Sequence, residues 1–200
     1  MNKIILLISL IITGCTEPPS LPKLSSNSVI LAFGDSLTYG SGSTQDQNYP
    51  NILSNLIHLT VVNEGVPGEI SQKGVSRLPQ LLDNYRPDLL ILMHGGNDML
   101  RKIKRKETAE NISNMIKEAQ KRNIAVFLLG VPEPTLFFLN SAQLYQTIAD
   151  QFQIPAELEL MPDILSDRNL KSDPIHPNNA GYKKMAERIF KRLQEAGALS

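Results

Sequence analysis

Two unbroken apolar runs constrain the fold of this chain more than any other feature of its sequence. Residues 29–33 read VILAF and residues 89–93 read LLILM, and glycine and polar residues follow each run almost at once. An apolar run of this length is typical of a strand that is buried on both faces, as in a parallel sheet. A sheet built from such strands needs helices on both of its sides.

The remaining segments alternate between strand and helix patterns. Residues 107–122 carry apolar side chains on one helical face, and residues 71–85 predict a second helix with a kink near Pro79. Further strands are predicted at 60–63, 124–129 and 156–160. This alternation predicts an α/β fold, and 200 residues suffice for a single domain with three α/β/α layers.

The charge balance and the cysteine content exclude several functions. Lys and Arg together number 20, as do Asp and Glu, so no net charge attracts the chain to nucleic acid. Cys15 is the sole cysteine, which excludes an internal disulfide framework and a metal site built from cysteines. The sequence also lacks the His-Glu-x-x-His spacing of a zinc enzyme, and we expect no metal site.

The first residues resemble a processed bacterial signal. Lys3 supplies a positive charge, residues 4–12 form an apolar run too short to span a bilayer comfortably, and Ile12-Thr13-Gly14-Cys15 resembles a lipobox. That resemblance implies cleavage before Cys15 and lipid attachment to this residue. An ordinary secretory signal with an incidental cysteine, or a buried first strand, are the alternatives.

These features predict three segments along the chain. Residues 1–14 are a lipoprotein signal peptide, residues 15–28 comprise the lipidated Cys15 and a flexible tether rich in Pro, Ser and Asn, and residues 29–200 form the folded domain. The expected product is an extracytoplasmic lipoprotein whose partner is a membrane, on the periplasmic or outer-membrane side in a Gram-negative cell. We expect a monomer, although the sequence leaves the oligomeric state open.

Polar residues with catalytic chemistry follow the predicted strands. They are Ser36, Gly68, Asn97, and Asp173 with His176. Because parallel strands end at one edge of a sheet, these residues can converge there. A serine beside an Asp–His pair suits nucleophilic attack on a carbonyl. The backbone N–H groups of Ser36 and Gly68, together with the side-chain amide of Asn97, suit an oxyanion hole. Each residue taken alone is also compatible with a turn or a helix cap.

Four sequence blocks resemble those of the SGNH (GDSL-type) hydrolases. They are Gly34-Asp35-Ser36, the glycine at 68, Gly95-Gly96-Asn97-Asp98 and Asp173-x-x-His176-Pro177. The resemblance covers residues 29–200 and is greatest to bacterial periplasmic enzymes that act as acyl-CoA thioesterase, lysophospholipase and arylesterase. It implies a flavodoxin-like sheet of five parallel strands and no metal or organic cofactor.

The same resemblance implies a role for each site residue. Ser36 would be the nucleophile, His176 the base and Asp173 the residue that orients it, with oxyanion donors from Ser36, Gly68 and Asn97. The expected substrate is a small-molecule or lipid acyl ester or thioester. The alternatives are a carbohydrate O-acetylesterase of the cell envelope, and a surface lipoprotein that binds a ligand without turnover.

Two further features have no assigned role in this picture. His94 stands before the paired glycines, where relatives often carry an apolar residue, and is expected only to end the strand. Residues 101–106 form a basic run that is expected either to be a solvated loop or to attract anionic head groups.

Overall fold

A parallel sheet of five strands forms the centre of the molecule. The computed structural model describes residues 18–134, 139–141 and 143–199, so the predicted signal peptide and Cys15 lie outside the described residues. Its strands are β1 (Val29–Gly34), β2 (Thr60–Gly65), β3 (Leu89–Met93), β4 (Ala125–Leu129) and β7 (Ala156–Glu157), and β5 (Pro132–Pro134) and β6 (Leu139–Ser141) form a separate antiparallel pair. The order in the main sheet is β2-β1-β3-β4-β7, and every neighbouring pair is parallel.

Helices cover the sheet and complete the predicted three-layer α/β/α arrangement. Apart from 3-10 turns at Gln45–Gln47 and Arg168–Leu170, the helices of the described residues are α1 (Ser36–Tyr39), α2 (Tyr49–Ile57), α3 (Ser71–Tyr85), α4 (Gly96–Leu100), α5 (Arg105–Gln120), α6 (Gln143–Phe152), α7 (Leu160–Ser166) and α8 (Asn179–Glu195). α2 packs against α8, and α5 packs against α3 and α6. Within the described ranges, no helix has the length and apolarity needed to cross a bilayer.

The predicted helix over residues 71–85 is confirmed by α3. This helix continues through Pro79 because the buried Leu78 and Leu82 hold it against the core despite the missing N–H. The short helix α4, which begins at the second of the paired glycines, was not predicted. α7 was not predicted, and it buries most of its few residues against the core.

Part of the predicted tether belongs to the folded unit. The Leu21 N–H donates to the Ala196 carbonyl at 2.8 Å, and the Leu24 N–H donates to the Ala198 carbonyl at 2.9 Å. The Leu21 side chain is also buried. The expected flexibility up to residue 28 is therefore wrong from Leu21 onward, because these residues bury apolar surface and pair their backbone with the end of α8.

Candidate active site

Ser36 lies at the carboxyl edge of the sheet, where β1 ends. Asp35 caps the short helix α1, and its Oδ1 accepts a hydrogen bond from the Leu37 N–H at 3.1 Å. Ser36 is the first residue of this helix, so its own N–H has no partner within the helix. Gly34 lets β1 approach both β3 and the start of α1, since a Cβ there would clash with the Met93 carbonyl and with the Thr38 hydroxyl.

A chain of hydrogen bonds joins Ser36 to His176 and Asp173. The His176 Nε2 lies 3.0 Å from the Ser36 Oγ, and the His176 Nδ1 lies 2.7 Å from the Asp173 Oδ2. The other carboxylate oxygen of Asp173 accepts the N–H groups of Ile175 and His176, both at 2.8 Å. The structure thus brings together the three residues that the sequence singled out, although 140 positions separate His176 from Ser36.

The loop before α8 fixes this pair by its backbone. Lys171 and Pro177 form an antiparallel bridge, and the Ser172 N–H donates to the His176 carbonyl at 3.0 Å. Partial burial of Asp173 would raise its pKa, but hydrogen bonds from the His176 side chain and from two backbone N–H groups outweigh this effect. The pKa of Asp173 is therefore held below its usual value, and the carboxylate stays ionised at neutral pH.

The side chain of Asn97, at the start of α4, is held by Asp35. Its Nδ2 donates to the Asp35 Oδ2 at 3.1 Å, which leaves the second amide hydrogen for another acceptor. Asp35 is only 1% exposed, and this burial raises its pKa. A side-chain amide oriented by a buried carboxyl group is a preorganised hydrogen-bond donor.

Gly68 lies in a tight turn between β2 and α3. The Glu69 N–H donates to the Val66 carbonyl at 3.1 Å, and Gly68 has φ +76° directly after Pro67. This is the pattern of a type II β-turn, which favours glycine at the position with positive φ. A Cβ on Gly68 would meet only the Arg101 guanidinium, at 3.8 Å, so the backbone angle rather than crowding calls for glycine.

These groups surround a cavity of about 420 Å³ at the carboxyl edge of the sheet. Ser36, His176, Gly68 and Asn97 all line it, so the four loops that the sequence expected to converge do share one cavity. Apolar side chains make up much of the remaining wall, with Leu100 at 50% and Ile175 at 39% exposure. The apolar wall includes Leu37, Pro67, Leu100, Val131, Leu165 and Ile175.

Behind this wall lie buried polar contacts that the sequence did not reveal. Asp98 accepts hydrogen bonds from the Ser71 N–H at 2.8 Å and from the Ser71 hydroxyl. His94 does more than end β3, because its ring is fully buried and bonded to Glu69. The unusual histidine before the paired glycines was the one available signal, and it did not identify the partner.

The basic run is exposed at all of its residues but Ile103, and three of its cations make surface contacts. The Arg101 side chain donates to the Gly68 carbonyl at 2.9 Å, and Arg105 pairs with Glu133 at 2.6 Å. The Lys106 Nζ lies 3.9 Å from Glu110. Arg101 therefore contacts the turn that carries Gly68, which the sequence did not indicate.

Comparisons with known proteins agree on one family. Residues 32–184 match the sequence model described as the GDSL-like Lipase/Acylhydrolase family. The chain is 26% identical over 197 residues to an arylesterase of Vibrio mimicus, a match that covers 94% of this chain and 96% of the relative. It is 28% identical over 172 residues to thioesterase 1/protease 1/lysophospholipase L1 of Escherichia coli (strain K12), covering 82% and 83%.

A solved structure shows the same fold. The crystal structure of TesA superposes with a TM-score of 0.77 at 24% identity, and the match covers 84% of this chain and 99% of that one. The expected family resemblance and the five-stranded α/β architecture are both confirmed. The chain belongs to the GDSL-like lipase/acylhydrolase family, the SGNH hydrolases, and is an enzyme that hydrolyses ester bonds.

Proposed function

We propose that this protein is a serine esterase in which Ser36, His176 and Asp173 form the catalytic triad. The observation that carries the proposal is the chain of hydrogen bonds from the Ser36 Oγ through the His176 ring to Asp173, with lengths of 3.0 and 2.7 Å. Nucleophile, base and orienting carboxylate in this order are the arrangement that acyl transfer requires.

In the acylation step, the Ser36 oxygen attacks the carbonyl carbon of the ester. His176 Nε2 takes the hydroxyl proton, and Asp173 stabilises the resulting imidazolium through Nδ1. The carbonyl oxygen becomes an oxyanion and accepts hydrogen bonds from the Ser36 N–H, the Gly68 N–H and the Asn97 amide. When the tetrahedral intermediate collapses, the bond to the alcohol or thiol breaks and His176 returns the proton to that leaving group.

Deacylation repeats these steps with water as the nucleophile. His176 takes a proton from water, hydroxide attacks the acyl-enzyme, and the Ser36 oxygen leaves and recovers its proton. The same three donors stabilise the second oxyanion. Every proton therefore moves through one imidazole nitrogen, while Asp173 keeps the ring in a single tautomer.

The proposed substrates are carboxylic esters or thioesters with an apolar acyl group. The wall formed by Leu37, Leu100, Val131, Leu165 and Ile175 offers an acyl chain an apolar environment. The names of the relatives, arylesterase and thioesterase/lysophospholipase, point to the same class. A sugar substrate would require many polar partners, so the apolar wall does not favour the O-acetylesterase alternative.

A series of p-nitrophenyl esters from acetate to palmitate tests this proposal. Hydrolysis by the full-length protein should disappear in Ser36→Ala, and activity should persist beyond acetate because the apolar wall can bind longer chains. Turnover confined to acetate would contradict the assigned substrate class. Turnover that survives in Ser36→Ala would contradict the assigned nucleophile, and ligand binding without turnover would favour the non-catalytic alternative.

We further propose that Cys15 anchors the enzyme to a membrane on the extracytoplasmic side, with the cavity facing away from that membrane. Leu21 pairs with Ala196 at the end of α8, whereas the start of α8 follows the His176 loop at the cavity. The 17 residues of this helix separate the two edges by about 25 Å. Six residues from Cys15 to Leu21 span about 20 Å at most, which is too short to return to the cavity.

The anchor proposal has a direct test. The mature protein should carry the mass of a lipid group on Cys15, and Cys15→Ser should move the enzyme from the membrane to the soluble fraction. Unchanged membrane association of Cys15→Ser, or an unmodified mature chain, would contradict the proposal.

A further inference from the structure

His94 is a fully buried histidine whose two ring nitrogens both have partners. Its Nδ1 accepts the Gly95 N–H at 3.1 Å, and its Nε2 lies 3.1 Å from the Glu69 Oε2. Because Nδ1 is an acceptor, the ring proton of the neutral imidazole lies on Nε2. His94 therefore donates a hydrogen bond to the Glu69 carboxylate.

Several contacts fix the position of His94. The Tyr145 hydroxyl donates to the His94 carbonyl at 2.7 Å, which holds the end of β3. The Phe33 ring lies beside the imidazole, with 5.8 Å between ring centroids. Gly74 lets α3 approach the ring, since a Cβ at this position would lie 2.7 Å from the His94 Nε2. A glycine inside a helix is otherwise unfavourable, and the space that the His94 ring needs explains Gly74 at this position.

Glu69 receives hydrogen bonds from a second direction as well. Arg77 donates from Nε to Oε1 at 3.0 Å and from a terminal nitrogen to Oε2 at 2.8 Å. The same guanidinium contacts Glu64 and lies 4.3 Å above the centre of the Phe33 ring. The Glu69 carboxylate is thus held between β3 and α3, and its side chain is 7% exposed.

Glu69 is also the residue that closes the turn carrying Gly68. The turn residues Val66, Pro67 and Gly68 are exposed on their outer side, whereas Glu69 reaches inward to the fixed His94. A displacement of Glu69 would move the adjoining Gly68 peptide. Oxyanion donors work only when they are aimed at the developing charge in advance, so such a displacement would weaken them.

We propose that His94 and Glu69 are positioning residues that aim the Gly68 N–H into the oxyanion hole. The inference rests on the proposed function, because it assumes that Gly68 stabilises an oxyanion formed at Ser36. His94 acts through Glu69 and contacts neither Ser36 nor the substrate. His94 connects the two segments that carry oxyanion donors. It is joined to Asn97 through Gly95 and Gly96 along the chain, and its hydrogen bond to Glu69 joins it to the residue that follows Gly68.

Two substitutions at one position separate this role from a structural one. In His94→Gln the side-chain amide can replace the Nε2 donor to Glu69, whereas in His94→Asn the shorter amide can replace only the Nδ1 acceptor. Both variants place a neutral amide in the same buried site, and Asn leaves a somewhat larger cavity than Gln. A loss of packing alone should lower the thermal midpoint without changing kcat or inhibition, whereas a specific loss of the Glu69 contact should lower kcat and weaken inhibition only in His94→Asn.

The readouts are kcat, KM, the inhibition constant of an alkylboronic acid, and the thermal midpoint of the full-length protein. The boronic acid bonds to the serine as a tetrahedral adduct with an oxygen in the oxyanion position. We expect His94→Asn to lower kcat about 10-fold, less than the complete loss of an oxyanion donor, with little change in KM. Boronic acid inhibition should weaken by a similar factor, and His94→Gln should restore both.

Equal kinetic losses in the two variants, or a lower thermal midpoint in His94→Asn with unchanged kcat and inhibition, would overturn the inference. If His94→Asn does not fold, Glu69→Leu takes its place, because it removes both acceptor oxygens, and wild-type kcat and inhibition in that variant would overturn the inference equally. Failure of the proposed function itself is distinguishable, because wild-type turnover would then be absent or would survive in Ser36→Ala.

Discussion

The two sides of the cavity are held in different ways. On one side, the triad loop of residues 171–177 is largely exposed and held by contacts within itself, such as the His176–Asp173 pair three residues apart. On the other side, the oxyanion wall, meaning the Gly68 turn and the Asn97 segment, is attached to buried or largely buried carboxyl groups. Each of these carboxyl groups makes one such attachment to a residue at least 25 positions away: Asp35 to Asn97, Asp98 to Ser71, and Glu69 to His94.

This difference matches what each side is proposed to do. A base that takes and returns a proton needs one hydrogen bond to the nucleophile and one to an orienting carboxylate, which a short loop can supply. Donors that stabilise an oxyanion must be fixed before the charge develops, and fixing them requires a rigid, buried framework. We therefore expect substitutions in the triad loop to remove activity with little loss of stability, and substitutions behind the oxyanion wall to affect both.

The largest expected effect is that of His176→Ala. Without the base, kcat/KM for a p-nitrophenyl ester should fall by roughly 10⁴-fold. The thermal midpoint should stay close to that of the wild type, because Ser172 and the Lys171–Pro177 bridge hold the loop through backbone hydrogen bonds. Ester hydrolysis and thermal unfolding of the same preparation check both parts, and a large drop in the midpoint would contradict the proposed contrast between the two sides.

Asn97→Ala should have the next largest effect. Loss of one oxyanion donor lowers kcat by about 10²–10³-fold, with a smaller change in KM. Stability should also fall, since the buried Asp35 loses a hydrogen-bond donor. Asn114→Ala, at an exposed position on α5, is the matched control and should change neither quantity. Wild-type kcat in Asn97→Ala would remove this side chain from the oxyanion hole.

Asp98→Asn tests the buried framework through stability. The carboxylate accepts both the N–H and the hydroxyl of Ser71, and an amide nitrogen in its place would face these donors. The free energy of unfolding should fall by about 2–3 kcal/mol in urea titrations. Asp163→Asn, which breaks an exposed pair with Arg188, should cost less than about 1 kcal/mol. Equal losses in the two variants would contradict a special role for the buried carboxylate.

The same contrast explains which features the sequence could reveal. The Asp173–His176 contact is local, so the spacing of two residues in one motif predicted it, and the apolar runs predicted the strands that bring Ser36 to the same edge. The Glu69–His94 and Asp98–Ser71 bonds join residues 25 and 27 positions apart. Their existence depends on how closely α3 packs on β3, and the sequence pattern does not specify this distance.

The docked segment at Leu21 and the short helix α7 were also not revealed by the sequence pattern. The docking of Leu21 on the end of α8 depends on a backbone pairing between opposite ends of the chain, and composition alone indicated a flexible tether. α7 is short and apolar, so its residues lack the periodicity that reveals a longer helix. Contacts between distant residues therefore account for most of what the sequence did not predict.

The smallest expected effect is a pH-dependent one, measured by comparing the stability of the wild type with that of Glu69→Gln. Burial would raise the pKa of Glu69, but hydrogen bonds from His94 and Arg77 outweigh it and lower this pKa to about 2. In the unfolded chain the pKa of a glutamate is about 4.3. The ionised carboxylate therefore stabilises the fold at pH values above about 4.3, and this contribution is lost as the pH falls towards 2.

The wild type should exceed Glu69→Gln in unfolding free energy by about 2 kcal/mol near neutral pH, and the difference should shrink between about pH 5 and pH 2. Asp35, whose pKa is raised, and Asp173, whose pKa is lowered, are present in both proteins, so their contributions cancel in this difference. The corresponding pH-dependent difference for Asp173→Asn should be smaller, because water screens an exposed carboxylate in the triad loop. A Glu69→Gln difference that stays constant with pH would show that the Glu69 carboxylate is not stabilised by its buried partners, and the two sides of the cavity would then not differ in this respect.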